Sequence, residues 1–202
     1  MMFLFDRDVP AETEKRDPWY WHTEVTLDPE QVCIHYVRLF REPKFLLERF
    51  SRKQLEQGFW GIQSGNINCS VALIIWMDGL PFLLRESCVR SMFHLFEHLF
   101  AIEPLETSAH MWWDSLCYGW HCGNRNRARG GEDLSMQDVM FETLRKTLAL
   151  DPEFCQSAAL HGLGHLHHPE TEQLVQQYLK QRPALDCELR EYALAAARFQ
   201  IM

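Results

Sequence analysis

Glu153-Phe154-Cys155-Gln156-Ser157-Ala158-Ala159-Leu160-His161-Gly162-Leu163-Gly164-His165-Leu166 is the stretch that decides the fold class. Cys155, Ala159, Gly162, Leu163 and Leu166 recur on one stripe at helical spacing. A glycine inside a helix costs about 1 kcal/mol relative to alanine, so Gly162 and Gly164 predict a neighbouring helix packed very close. Displaced by 34 residues, Ala159-Leu160 falls on Ala193-Leu194, Cys155 on Leu189, and Gly162-Leu163 on Ala196-Ala197. A self-match at this period is the mark of helix-pair repeats.

The same helical grammar extends upstream. Asp28-Pro29-Glu30 reads as N-cap, N1 proline and first-turn acid, and Asp151-Pro152-Glu153 repeats it. His168-Pro169-Glu170 is a weaker version, Asp186 can cap a last helix, and Ser135 with Asp138 fits a capping box before Val139. Apolar residues recur at i, i+4, i+7 in Val32 to Phe40, Leu84 to Phe100 and Leu174 to Leu179. No sustained alternation of apolar and polar residues predicts a strand, and Ser70 to Met77, though β-branched, reads as a buried helix among helices. The expectation is an all-α chain of about eight or nine helices. Residues 1–27 read as an N-terminal arm clamped by Trp19, Tyr20 and Trp21, and residues 28–202 as a single helical domain. Gly119 to Asp133, with its glycines and asparagines and no apolar period, reads as a solvated loop carrying Arg125, Arg127 and Arg129.

The words Ala-Leu-x-x-Leu-Gly-x-Leu and Pro-Glu-x-x-x-Leu, at 159–166 and 169–174, resemble a HEAT-type repeat. The stretches Phe45 to Ser51, Gln54 to Trp60 and His110 to Asp114 are also similar to a bacterial family of HEAT-like proteins without an assigned activity. This resemblance implies a right-handed α-α superhelix and no reaction. HEAT-like proteins as a class are scaffolds that bind macromolecules along a concave surface.

Composition narrows the function classes. A net charge of −8 argues against duplex nucleic acid as the partner and suits a basic protein. Seven scattered cysteines without a CxxC pair suit reduced thiols in a cytoplasmic protein. The start lacks a basic n-region, and the longest internal apolar run, Val71 to Met77, is far short of the roughly 20 residues of a membrane span.

Three constellations could carry chemistry. His94-Leu95-Phe96-Glu97-His98 spells the H-x-x-E-H of inverted zinc peptidases, with two imidazoles on one helix face and a carboxylate beside them. Phe93, Phe96, Leu99 and Phe100 take the opposite, buried face. His161, His165 and His168 make a second stripe, which lies opposite the apolar seam and has no carboxylate interleaved, so it reads as outward-facing positions. Cys117, His121 and Cys122 lie close together, and His110 and Asp114 could complete a set of ligands. The five-residue H-x-x-E-H word alone is weak, and the Gly61 to Gly65 stretch is out of register with a nucleophile elbow.

The leading expectation is therefore a non-enzymatic helical scaffold for a protein partner, of the adaptor or immunity type, with no catalytic, cofactor or metal residue. Its expected contact residues are Trp112, Trp113, Trp120, Arg125, Arg127, Arg129, His161 and His165, since Trp and Arg are enriched at interface hot spots. The alternative is a metal-dependent hydrolase centred on His94, Glu97 and His98.

Overall fold

The computed structural model describes residues 2–10, 16–23, 25–67 and 70–201. Cys69 and parts of the expected arm, at 1, 11–15 and 24, lie outside the described residues. The fold is all-helical, with ten α-helices and no strand among the described residues. No helix among them is long and apolar enough to cross a membrane. The chain divides into two compact units, Met1–Ala109 and His110–Met202.

The first unit contains α1 (Pro29–Arg41), α2 (Lys44–Arg49), α3 (Arg52–Gln63), α4 (Val71–Ile75) and α5 (Phe82–Leu95). Asp28 caps α1 as its sequence predicts, accepting a hydrogen bond from the Gln31 amide at 2.8 Å. Ser51 and Gln54 form a reciprocal capping box at α3. Within the Ser70 to Met77 run, Val71–Ile75 is helical, with Ser70 as its cap. α1 packs along α5, and the guanidinium of buried Arg85 is satisfied by the carbonyls of Leu80 and Ile75 at 3.0 and 3.2 Å. The N-terminal residues lie on α3. A Cβ on Gly58 would strike the Phe5 ring, and one on Gly61 would sit 2.6 Å from Trp19. Trp19 thus does the clamping, whereas Trp21 is 53% exposed.

The second unit contains α6 (Asp114–His121), α7 (Gly131–Leu148), α8 (Glu153–Leu166), α9 (Thr171–Gln181) and α10 (Cys187–Ala197). A 3₁₀ turn, His110–Trp113, leads into α6. Helix α8 is the centre of the unit: the 3₁₀ turn, α6, α7 and α10 all pack on it. The predicted close approach is present at both glycines. A Cβ on Gly162 would lie 2.7 Å from Leu144 and Trp113, and Gly164 faces Ile201 and the backbone of Ala196. α10 begins 34 residues after α8, and the matched Ala193 and Ala196 are fully buried.

Two local expectations are corrected. The 119–133 segment is mostly structured: α6 runs through Gly119 to His121, and α7 already begins at Gly131. Ser135 and Asp138 therefore lie inside α7 rather than capping it. Asp138 instead receives Arg127 and, at 3.0 Å, the His168 Nε2. The remaining turn is held to α7 by Arg125 on Asp133 at 2.8 Å and by the Asn126 amide on the same carboxylate at 3.1 Å.

Candidate metal centre

Helix α8 follows Pro152, which stands at its N-cap, and ends at His167 in the left-handed region, φ 53 and ψ 35. The following His168-Pro169 step disfavours helical continuation. A non-glycine residue in that conformation costs about 1 kcal/mol or more. Packing holds it there: the His167 ring stacks on Phe199 at 4.5 Å, and the buried Gln137 amide donates to the Leu166 carbonyl at 2.8 Å.

Because every residue of α8 from 158 to 166 is buried, its histidines have no outward face to occupy. His161 and His165 are 2% and 3% exposed, so the outward-facing expectation is corrected. The carboxylate missing from α8 is supplied by Asp114, the first residue of α6. Its Oδ1 stands 3.3 Å from His165 Nε2 and 3.8 Å from His161 Nε2. One ligand atom from each of Asp114, His161 and His165 lies within 4.8 Å of the others. Ligand atoms about 2.1 Å from one tetrahedral ion lie roughly 3.4 Å apart; the His165 spacing of 3.3 Å matches that and the His161 spacing of 3.8 Å is somewhat wider.

Hydrogen bonding points the same way. His161 Nδ1 pairs with the Tyr192 hydroxyl at 2.7 Å, while its Nε2 is buried without a hydrogen-bond partner. Both ring nitrogens of His165 are likewise buried without one. A buried polar atom left unsatisfied costs about 1–3 kcal/mol, and a metal ion removes that cost for Nε2 of each ring. Burial pushes the Tyr192 hydroxyl up to about 12, so it stays protonated. The protonated hydroxyl can accept from His161 Nδ1–H, which turns the Nε2 lone pair toward Asp114, or donate to Nδ1, which turns Nε2–H toward it. Burial, reinforced by His161, also pushes His165 down to about 4, so it is neutral at pH 7. Asp114 is held below the usual carboxylate range, first by His161 and then by His165 and His121 against its burial. His110 and His121 flank the cluster, their rings 4.9 Å from His161 and 4.8 Å from His165.

The other expected site residues are placed as follows. Trp112 and Trp113 are fully buried and Trp120 is 5% exposed. These rings are buried rather than presented on the surface, unlike the contact role expected of them. Arg125 and Arg127 are ion-paired to α7, and Arg129, the most exposed of the three, bonds the Asn124 carbonyl at 3.0 Å. Cys117 is buried and its thiol pushed well up by burial, and Cys122 is exposed, so the cysteines do not form a set with His121. His94, Glu97 and His98 do come together in the first unit. The sequence reasoning missed Tyr192 and the pairing of Asp114 with α8. One signal was available: no Asp, Glu, Lys or Arg occurs from Phe154 to Leu166, the pattern of a helix buried nearly all round.

No family model, curated protein or solved structure matches this chain.

Proposed function

We propose that this chain is a HEAT-like helical protein whose second unit binds a divalent first-row transition-metal ion through Asp114, His161 and His165. The observation that carries this reading is the pair of buried imidazole Nε2 atoms converging on one carboxylate oxygen, at 3.3 and 3.8 Å. Two imidazoles and a carboxylate suit zinc, iron or cobalt rather than calcium or magnesium, which prefer all-oxygen ligand sets. Tyr192 orients His161, and the His110 ring lies beside the cluster, 4.9 Å from that of His161. When bound, such an ion polarises oxygen ligands and lowers the pKa of a coordinated water. The HEAT-like description draws on the 34-residue recurrence of α8 and α10.

The test is thermal unfolding of the untagged full chain with zinc, cobalt or nickel. A ligand at 100 times its Kd stabilises the fold by about 2.7 kcal/mol. The increase in unfolding temperature should be largely lost in His161→Ala/His165→Ala and in Asp114→Ala. Equal stabilisation of wild type and variants, or none by any of the three metals, refutes the proposal.

A further inference from the structure

The first unit holds a cluster of the same chemistry built in a different way. Helix α5 does not end cleanly but widens into a π-helical turn, Phe96–Phe100, closed by the Ala101 amide on the Phe96 carbonyl at 2.8 Å. Such turns are rare and occur disproportionately at functional sites. Phe96, Leu99 and Phe100 are fully buried and anchor the turn. Its opposite face carries Glu97 and His98, and His94 stands just before it in the last turn of α5. His94 Nδ1 and His98 Nε2 each lie 3.2 Å from the same Glu97 oxygen, Oε2, and the two rings are stacked at 5.7 Å and 21°.

We propose that His94, Glu97 and His98 form a second, solvent-facing site for a divalent transition-metal ion, independent of the Asp114 cluster. The spacings are again close to the roughly 3.4 Å separating ligand atoms on one tetrahedral ion. A hydrogen-bonded surface cluster without a metal would bring its members together for little gain, since exposed ion pairs contribute about 0–1 kcal/mol. That gain gives no reason for the helix to leave the α geometry where these three side chains meet. Two imidazoles and one carboxylate again favour a borderline ion such as zinc, cobalt or nickel over magnesium or calcium. The side chains are 44%, 37% and 34% exposed. Water completes the coordination, and the ion exchanges with solvent more readily than one held by the 2% and 3% exposed histidines of α8. The chain then carries a sheltered site and an open one in separate units.

Cobalt(II) is the probe, added to untagged, chelator-treated full chain and followed by visible absorption and equilibrium dialysis. The wild type should take up about two equivalents in two phases, with the weaker phase assigned to the open site. His94→Ala/His98→Ala should remove the weaker phase and leave the tighter one. His161→Ala/His165→Ala should do the reverse, so either proposal can fail alone. Glu97→Gln, which keeps size and polarity, should weaken the open site about tenfold or more without changing the far-ultraviolet circular dichroism. It serves as the readout if the double alanine variant does not fold. A weaker phase that persists unchanged in Glu97→Gln, or a wild type with no phase sensitive to positions 94, 97 and 98, overturns the proposal.

Discussion

Replacing Glu56 with alanine tests how the first unit holds the segment that closes it. The Glu56 carboxylate, on α3, accepts six hydrogen bonds within that unit. They come from the amides of Glu106, Thr107 and Ser108 at 2.9–3.1 Å, the hydroxyls of Thr107 and Ser108 at 2.9 Å, and the Trp60 indole at 3.0 Å. Bonds to an ionised acceptor contribute about 1.5–3 kcal/mol each when buried, but water replaces those that are exposed. Glu106 and Thr107 are exposed, whereas Ser108 is fully buried, so its amide and hydroxyl lose their acceptor without replacement. Two orphaned donors at roughly 1–3 kcal/mol each set an expected loss of about 3 kcal/mol for Glu56→Ala. Glu56→Gln keeps one acceptor oxygen and should lose about half of that. Urea denaturation followed by circular dichroism measures the loss, and hydrogen exchange localises it. The amides of residues 106–108 should lose protection, while those in the middle of α8 should not. A loss below about 1 kcal/mol with those three amides still protected would refute the reasoning, because the hub would then be a surface cluster replaced by water.

Three further outcomes follow from the second unit. Gly162→Ala should destabilise by about 1–2 kcal/mol despite alanine's better helix propensity, because the added Cβ lies 2.7 Å from Leu144 and Trp113; Gly65→Ala, with open space around it, should be close to neutral in the same urea titration. His168 is held below the ordinary imidazole range, chiefly by burial and against Asp138. The unfolded chain therefore takes up a proton near pH 6.5 before the native one does, so stability is full above that pH and declines as pH falls below it, by up to about 1.4 kcal/mol per pH unit for this group; His168→Gln should flatten that decline in denaturation midpoints measured from pH 7 to 5. Arg127→Ala should cost about 1 kcal/mol, since the Arg127–Asp138 pair is partly exposed. It should also raise the His168 pKa seen by NMR, because the guanidinium charge lowers it; a fall would refute this electrostatic assignment.

Helix identity was legible in local chemistry. Asp28 and Asp186 cap the helices that their sequence contexts announce, and the small residues of α8 mark a close helix approach. These signals are short-range: a cap needs three residues and a packing stripe needs seven or eight. The same reasoning misjudged the segment after Gly119, where the ordering partners of Arg125 and Arg127 are carboxylates in the following helix. Periodicity in α8 also misled about His161 and His165, because a stripe opposite one apolar seam is outward only if nothing packs on it.

The sequence by itself therefore determined an all-helical chain, most of its helix starts, and the i, i+4 histidine pairs of both clusters, all set by backbone hydrogen bonding and side-chain spacing within a turn or two. Tertiary structure alone decided that every residue of α8 from 158 to 166 is buried, that Asp114 and Tyr192 complete the surroundings of its histidines, and that Trp112, Trp113 and Trp120 are core. Asp114 and Tyr192 stand 47 and 31 residues from His161, and no local periodicity records which helices meet across such separations. Whether the imidazoles of α8 face solvent or a carboxylate depends on that meeting, and so does the metal centre proposed for them.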